Sequence, residues 1–230
     1  MTKKGLVLFI SCLLLFLAAC GNNDKTEKKE TEEAAQEQPE FTDEEIVDDK
    51  TPVVNVDGQE LEGKKYNQVY KQIKTIMYQN GQDVSDLDVI KERTLTALIE
   101  QELINQEASE KGIEVKEEEA SKELESIKKE TGDQFSTILE QLNMNEKDFE
   151  HQLLEDLTTE KYMNHEFDVE VTDKEVEEYY KQLKEKNKEI PELEEVKDNI
   201  KSFLHTEKQR KQLKSRLTEL KEKTEIEELI

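Results

Sequence analysis

The sequence predicts an all-α protein, mainly helical, with one small β pairing between its first and last ordered segments. Apolar residues from Tyr66 onward recur at helical spacing in stretch after stretch, separated by Gly, Asn or Pro stops. Only 33% of the chain is hydrophobic and there is no Trp, which suits a lean core built from amphipathic helices. Strand candidates are few and short: Val53–Val56, Val169–Val171 and the residues after Thr224.

The N-terminus comes first. Lys3 and Lys4 precede an uncharged apolar run from Leu6 to Ala19, 14 residues long by the numbering. A helix needs roughly 20 to cross a bilayer. A basic flank, a short apolar run and small residues before a cut site describe a signal peptide over 1–19. Leu17-Ala18-Ala19-Cys20 resembles a lipobox. That resemblance implies cleavage between Ala19 and Cys20 and a diacylglyceryl thioether on Cys20, a covalent lipid that anchors the chain to a membrane. The other cysteine, Cys12, lies in the segment to be removed, so no thiol remains for a disulfide, a zinc site or a nucleophile.

Residues 21–50 hold 12 acidic and 4 basic side chains and almost nothing apolar. Such a segment does not bury enough surface to offset its ordering entropy, which predicts a disordered tether over 20–50. At about 5–6 Å times the square root of residue number it reaches roughly 30 Å. The whole chain carries 33 basic and 57 acidic residues; losing Lys3 and Lys4 with the leader leaves 31 against 57, a formal charge of −26. That surface repels nucleic acid and anionic headgroups, so neither is an expected partner of the body.

The body is expected over 51–230, as N-terminal helices over 51–188 and a returning helix and strand over 192–230. Val53-Val54-Asn55-Val56 reads as a strand entering an Asp57-Gly58 turn. Tyr66, Val69, Tyr70, Ile73, Ile76 and Met77 form one helical stripe, stopped at Asn80-Gly81. A second helix runs from near Ser85 to Lys111-Gly112 and a third from about Glu117 to Gly132. A short fourth carries Phe135, Ile138, Leu139 and Leu142; a fifth starts at an Asn145 cap and presents Phe149, Leu153 and Leu157. Thr172-Asp173-Lys174-Glu175 is a capping box that opens a sixth helix bearing Val176, Tyr179, Tyr180 and Leu183. Ile190-Pro191 interrupts the chain before a seventh helix, about Glu192 to Lys223, roughly 48 Å long. A terminal strand near 224–230 needs a neighbour, and the predicted one is Val53–Val56.

Chemistry is sparse. His151 and His165 share a helix and stand roughly 21 Å apart along it, so they do not ligate one metal. His205 has no third ligand signalled near it, and runs such as Glu117-Glu118-Glu119 read as solvated faces. No Gly-rich phosphate loop or nucleophile elbow is present, so no catalytic residue, metal or cofactor other than the lipid is expected. An aromatic and methionine set (Tyr66, Tyr70, Ile73, Met77, Met144, Phe149, Tyr179, Tyr180) has two readings: core packing, or an open groove where Met and Tyr suit promiscuous binding. The sequence alone does not separate them.

The order of these elements resembles the chaperone domain of SurA- and PrsA-type exported folding factors, with kinship to the trigger factor arm. Val54-Asn55-Val56-Asp57-Gly58, Leu98 to Ile104 with Ala108 and Lys111-Gly112-Ile113, Leu142 to Phe149, and Val171 to Val176 with Tyr179-Tyr180 carry it, followed by Val196 to Ile200 and Lys221 to Ile226. At Asn143 the family usually has Gly. In the isomerase members a parvulin domain follows the Tyr-Tyr helix; here only about Lys184 to Pro191 occupies that place. The resemblance implies a chaperone for unfolded or nascent secreted proteins, without prolyl isomerase activity, on the outer face of a bacterial cell membrane. The alternative is a helical interaction lipoprotein with one dedicated protein partner.

Overall fold

A computed structural model describes residues 39–230. The expected signal peptide, Ala19 and Cys20 lie outside the described residues. The elements are β1 (Pro52–Val56), β2 (Gln59–Glu62), α1 (Gly63–Gln79), α2 (Leu87–Glu110), α3 (Glu117–Thr131), α4 (Gln134–Gln141), α5 (Glu146–Glu166), α6 (Asp173–Lys186), α7 (Leu193–Lys223) and β3 (Ile226–Glu228). The protein is therefore mainly helical, with one small antiparallel sheet in the order β2-β1-β3.

The predicted pairing of the two ends is present: Val54 faces Glu228 and Val56 faces Ile226. Asp57 (φ +51°) and Gly58 (φ +85°) make the turn, and both left-handed residues match the twist of a two-residue hairpin. That hairpin returns as β2, which the sequence analysis did not anticipate. Gln59-Glu60-Leu61-Glu62 is largely charged and exposed, and it pairs because the turn delivers it to the free edge of β1. Val169–Val171, the other strand candidate, pairs with no strand among the described residues and stays irregular.

Helix ends follow the local chemistry. Asn145 Oδ1 accepts the Asp148 N–H at 3.0 Å, and Thr172 and Glu175 form the expected reciprocal box, with Glu175 accepting the Thr172 N–H at 2.9 Å. The second helix opens at Leu87, two residues after Ser85, with Asp86 as its cap accepting from Val89 at 3.2 Å.

Three apolar cores are strung along two long helices. The main one joins Val53, Val54 and Val56 of β1 to α1, α2 and the C-terminal turns of α5 and α7. A second lies between α3, α4 and the first half of α5, around Leu124, Phe135 and Phe149. The third, around Val171, Val176 and Ile200, is closed by α6 and the first half of α7. So α5 and α7 each leave the main core and form one wall of an outlying one.

Glu107 fixes where they cross. Its carboxylate is buried on α2, accepts the Tyr162 hydroxyl of α5 at 2.6 Å, and takes Arg216 of α7 at 3.0 Å and 2.5 Å. Burial pushes this carboxyl up, but Arg216 and Tyr162 outweigh it and hold it below the usual range. Lys221 of α7 adds a 2.7 Å contact to Glu100 of α2.

One expectation is corrected. The disordered tether was read to residue 50, yet residues 39–50 lie against α1 as an ordered strap, with Glu45 buried and Val47 packed on the main core. Acidic composition argued for solvation; a buried cation on α1 reverses that locally.

Removing one partner of a fully buried ion pair costs about 3–5 kcal/mol. A third of the Arg216 side chain is in water, so Arg216→Ala is expected to cost less, about 2 kcal/mol, read as a lower urea midpoint.

Candidate functional site

The 17 residues of α1 present two faces. Tyr66, Tyr70 and Met77 point into the main core. The adjoining flank carries Asn67, Lys71 and Lys74, and it meets the strap on one side and the α4–α5 corner on the other. That corner turns at Asn143, a non-glycine residue in the left-handed region (φ +53°), the place where glycine is usual in the resembled family. Its amide donates to Thr75 Oγ1 at 3.1 Å, which offsets part of the strain and pins the corner to α1. Met144 follows, with its sulfur 3.1 Å from Gln72 Nε2.

Between these pieces lies an open groove of about 570 Å³, lined by Phe41, Lys71, Leu139, Glu140, Asn143 and Met144. It mixes an aromatic ring, an aliphatic side chain and an adaptable thioether with one cation, one anion and one amide. Such a lining takes apolar side chains and tolerates the polar backbone between them.

The strap forms one wall. Lys74 donates to the Glu40 carbonyl at 2.7 Å, is ion-paired with Glu45, and lies 5.3 Å from the Phe41 ring centre. Tyr70 donates its hydroxyl to Glu45 at 3.0 Å. Burial pushes the Glu45 carboxyl up, but Lys74, Thr42 and Tyr70 together bring it below its ordinary value. Tyr66 is pushed up to about 12 by burial and the nearby Glu45 charge.

The eight residues expected from sequence separate cleanly. Tyr66, Tyr70, Met77 and Phe149 are 3%, 1%, 2% and 5% exposed, so they are core residues and their assignment to an open groove is corrected. The whole stripe on α1 serves the core, with β1, α2 and the strap covering its aromatic part, and α1 gives the groove only Lys71. Ile73 is half-buried against the main core. Met144 alone lines the groove. Tyr179 and Tyr180 are half-buried on α6, where Tyr179 stacks on the exposed Phe203 of α7 with centroids 5.2 Å apart. They form a second apolar patch on the outlying arm. Phe41, Lys71, Leu139 and Glu140 are groove residues the sequence does not single out; Leu139 shows there only as a member of a helical stripe.

Among the described residues no group of three His, Cys, Asp or Glu side chains could hold a metal, and no helix is long and apolar enough to cross a membrane. Asp156 on α5, pushed up to about 6 by burial, lies outside the groove and is held by Gln152 at 2.9 Å.

Residues 7–163 match the SurA-like N-terminal domain family. Over 144 residues the chain is 30% identical to the foldase protein PrsA of Caldanaerobacter subterraneus subsp. tengcongensis. That match covers 58% of this chain and 43% of the relative, so the chain matches less than half of that protein's length.

Because Glu45 titrates below its ordinary value when docked, its contribution is complete above about pH 4.5 and drains away as pH falls through the docked value. Protection of the Val47 amide, corrected for intrinsic exchange, is expected to hold between pH 7 and 5 and to fall below pH 4.5. A bond to a charged group contributes about 1.5–3 kcal/mol, so Glu45→Ala is expected to speed that exchange at least tenfold at pH 7 while α2 amides are unchanged.

Proposed function

The chain belongs to the SurA-like N-terminal domain family, and from that premise we propose that it is a membrane-tethered holding chaperone for unfolded exported proteins. The observation that carries the reading is the open groove beside Met144, a mixed apolar and polar channel of about 570 Å³. A channel of that size holds a few consecutive side chains of an extended segment and not a folded surface. The Tyr179–Phe203 patch offers a second foothold on a separate arm, and two weak contacts on one chain reinforce each other through effective concentration.

The reading extends to an absence of prolyl isomerase activity. Only residues 187–192 join α6 to α7, and Tyr180 closes that link by donating to the Pro191 carbonyl at 3.0 Å. The isomerase members carry their catalytic domain at this place. The lipobox-like Leu17-Ala18-Ala19-Cys20 supports attachment to the outer face of the cell membrane through a lipid on Cys20. The strong negative charge, −24 over the full sequence, suits a holder that keeps a client complex from associating with others.

Two measurements test this. The full chain is mixed with a chemically unfolded secreted enzyme during dilution, and light scattering is followed. Suppression at near-equal molar ratio is expected, and Leu139→Ser with Met144→Ser is expected to weaken it several-fold while the helical signal stays. Scattering unchanged by the chain for several enzymes would replace the holder by the arm for one dedicated partner. For the anchor, cells expressing the chain are expected to incorporate labelled fatty acid into it, and Cys20→Ser to abolish the label; label retained in that variant would remove the lipid on Cys20 from the reading.

A further inference from the structure

The strap contributes no helix or strand, yet α1 holds it largely by its backbone. Asn67, buried on α1, accepts the Val47 N–H at 3.0 Å and donates to the Val47 carbonyl at 2.8 Å. One amide side chain thereby satisfies both polar groups of one peptide residue, whatever that residue's side chain. Lys74 takes the Glu40 carbonyl. At the start of α1, the N–H of Gly63 and that of Lys64 donate to the carbonyls of Thr51 and Asp49 at 2.8 Å and 2.9 Å. Gly63 itself permits the approach: a Cβ there would lie 2.1 Å from the Asp48 carbonyl oxygen.

Side-chain selection falls at a few points, one of them Asp49, whose carboxylate accepts a further bond from the Asn67 amide at 3.2 Å. The Glu45 carboxylate meets Lys74 and the Tyr70 hydroxyl, the Phe41 ring lies beside Lys74, and Val47 packs on the main core. Main-chain capture with a few side-chain pockets is the physical pattern of peptide recognition. The groove continues past Phe41 toward Leu139 and Met144, beyond where the strap fills it.

We propose that this flank of α1 is a peptide-binding site, occupied in cis by residues 40–48. Its ligand in trans is a segment of an unfolded protein with the strap's shape and chemistry: an aromatic residue four positions before a carboxylate, with a turn between them like the one closed here by the Glu45 N–H on the Thr42 carbonyl at 3.1 Å, and a β-branched residue two positions after the carboxylate. The inference rests on the holding function proposed above and deepens it. A strap on the same chain acts at an effective concentration of order millimolar, so it sets a threshold that weak or poorly matched segments do not pass. When it leaves, the Lys74 ammonium returns to water, and the groove loses its Phe41 wall and widens.

The probe is a fluorescent peptide with the sequence of residues 39–50, titrated into the full chain. Phe41→Ala with Glu45→Ala weakens the strap and leaves α1 untouched. That variant is expected to bind the peptide at least tenfold more tightly than the unaltered chain, and adding Asn67→Ala is expected to remove the gain. Gly63→Ala in the same background is a second α1 variant, should Asn67→Ala unfold the chain, and it is expected to weaken binding likewise. Equal affinity of strap-weakened and unaltered chains, or binding indifferent to both α1 changes, overturns the proposal. Displacement of the peptide by reduced, carboxymethylated lactalbumin, a permanently unfolded protein, supports the trans ligand. Failure to displace it, in a chain that still suppresses scattering, overturns the inference and leaves the holding function standing.

Discussion

The buried carboxylate of Glu107 is the constraint on which the layout depends. It stands on α2 and is satisfied by a hydroxyl from α5 and a guanidinium from α7, two helices that approach from different parts of the chain. A charge buried without partners is costly, so only the arrangement that brings Tyr162 and Arg216 together is acceptable. Tyr162 also meets Phe167 edge to face at 5.8 Å, which aims the chain leaving α5 toward α6. Apolar packing in the main core is non-directional, whereas the carboxylate adds directed bonds to both helices. The positions of both outlying cores follow from that one crossing.

Small cores on long struts leave apolar surface at the margins of the molecule, which is what the proposed holding function needs. The third core has three buried residues, Val171, Val176 and Ile200, and is bordered by partly buried hydrophobics such as Tyr179, Tyr180 and Leu204. A cluster of that size gains little from burial, so its arm sits at the low end of local stability while the main core holds the frame. Lys208 reinforces it from outside, donating to the Glu170 carbonyl and holding Glu175 at about 2 together with the Thr172 cap. Rigidity is concentrated at the crossing, and apolar surface is offered at the margins.

Much of this was legible in the sequence because it is local. The Asn145 and Thr172 caps and the stops at Gly81, Gly112 and Gly132 are set by residues a few positions apart. The β1–β3 pairing was reached by elimination, since a terminal strand needed a neighbour. What failed was partnership at a distance. Tyr66, Tyr70 and Met77 carry the same signal whether they face a core or a groove; only the arrival of β1 and α2 decides. The strap failed for a related reason: Glu45 looks solvated until Lys74, 29 residues away, supplies a buried cation. β2 was hidden because its own residues show no strand pattern and pair only through the turn before them.

The central strand has one neighbour two residues away in sequence and the other far down the chain. β2 is available at once, but β3 lies about 170 residues further on, and closing so long a loop is entropically slow. Until residues 226–228 exist, the far edge of β1 has open hydrogen-bonding groups, and the α7 turn bearing Leu217 and Leu220 is missing from the main core. During synthesis the molecule therefore passes through a stage in which helical segments are formed and the central valines are still uncovered. Closure waits on a distant segment: the strand that completes the sheet is made about 170 residues after the one it covers.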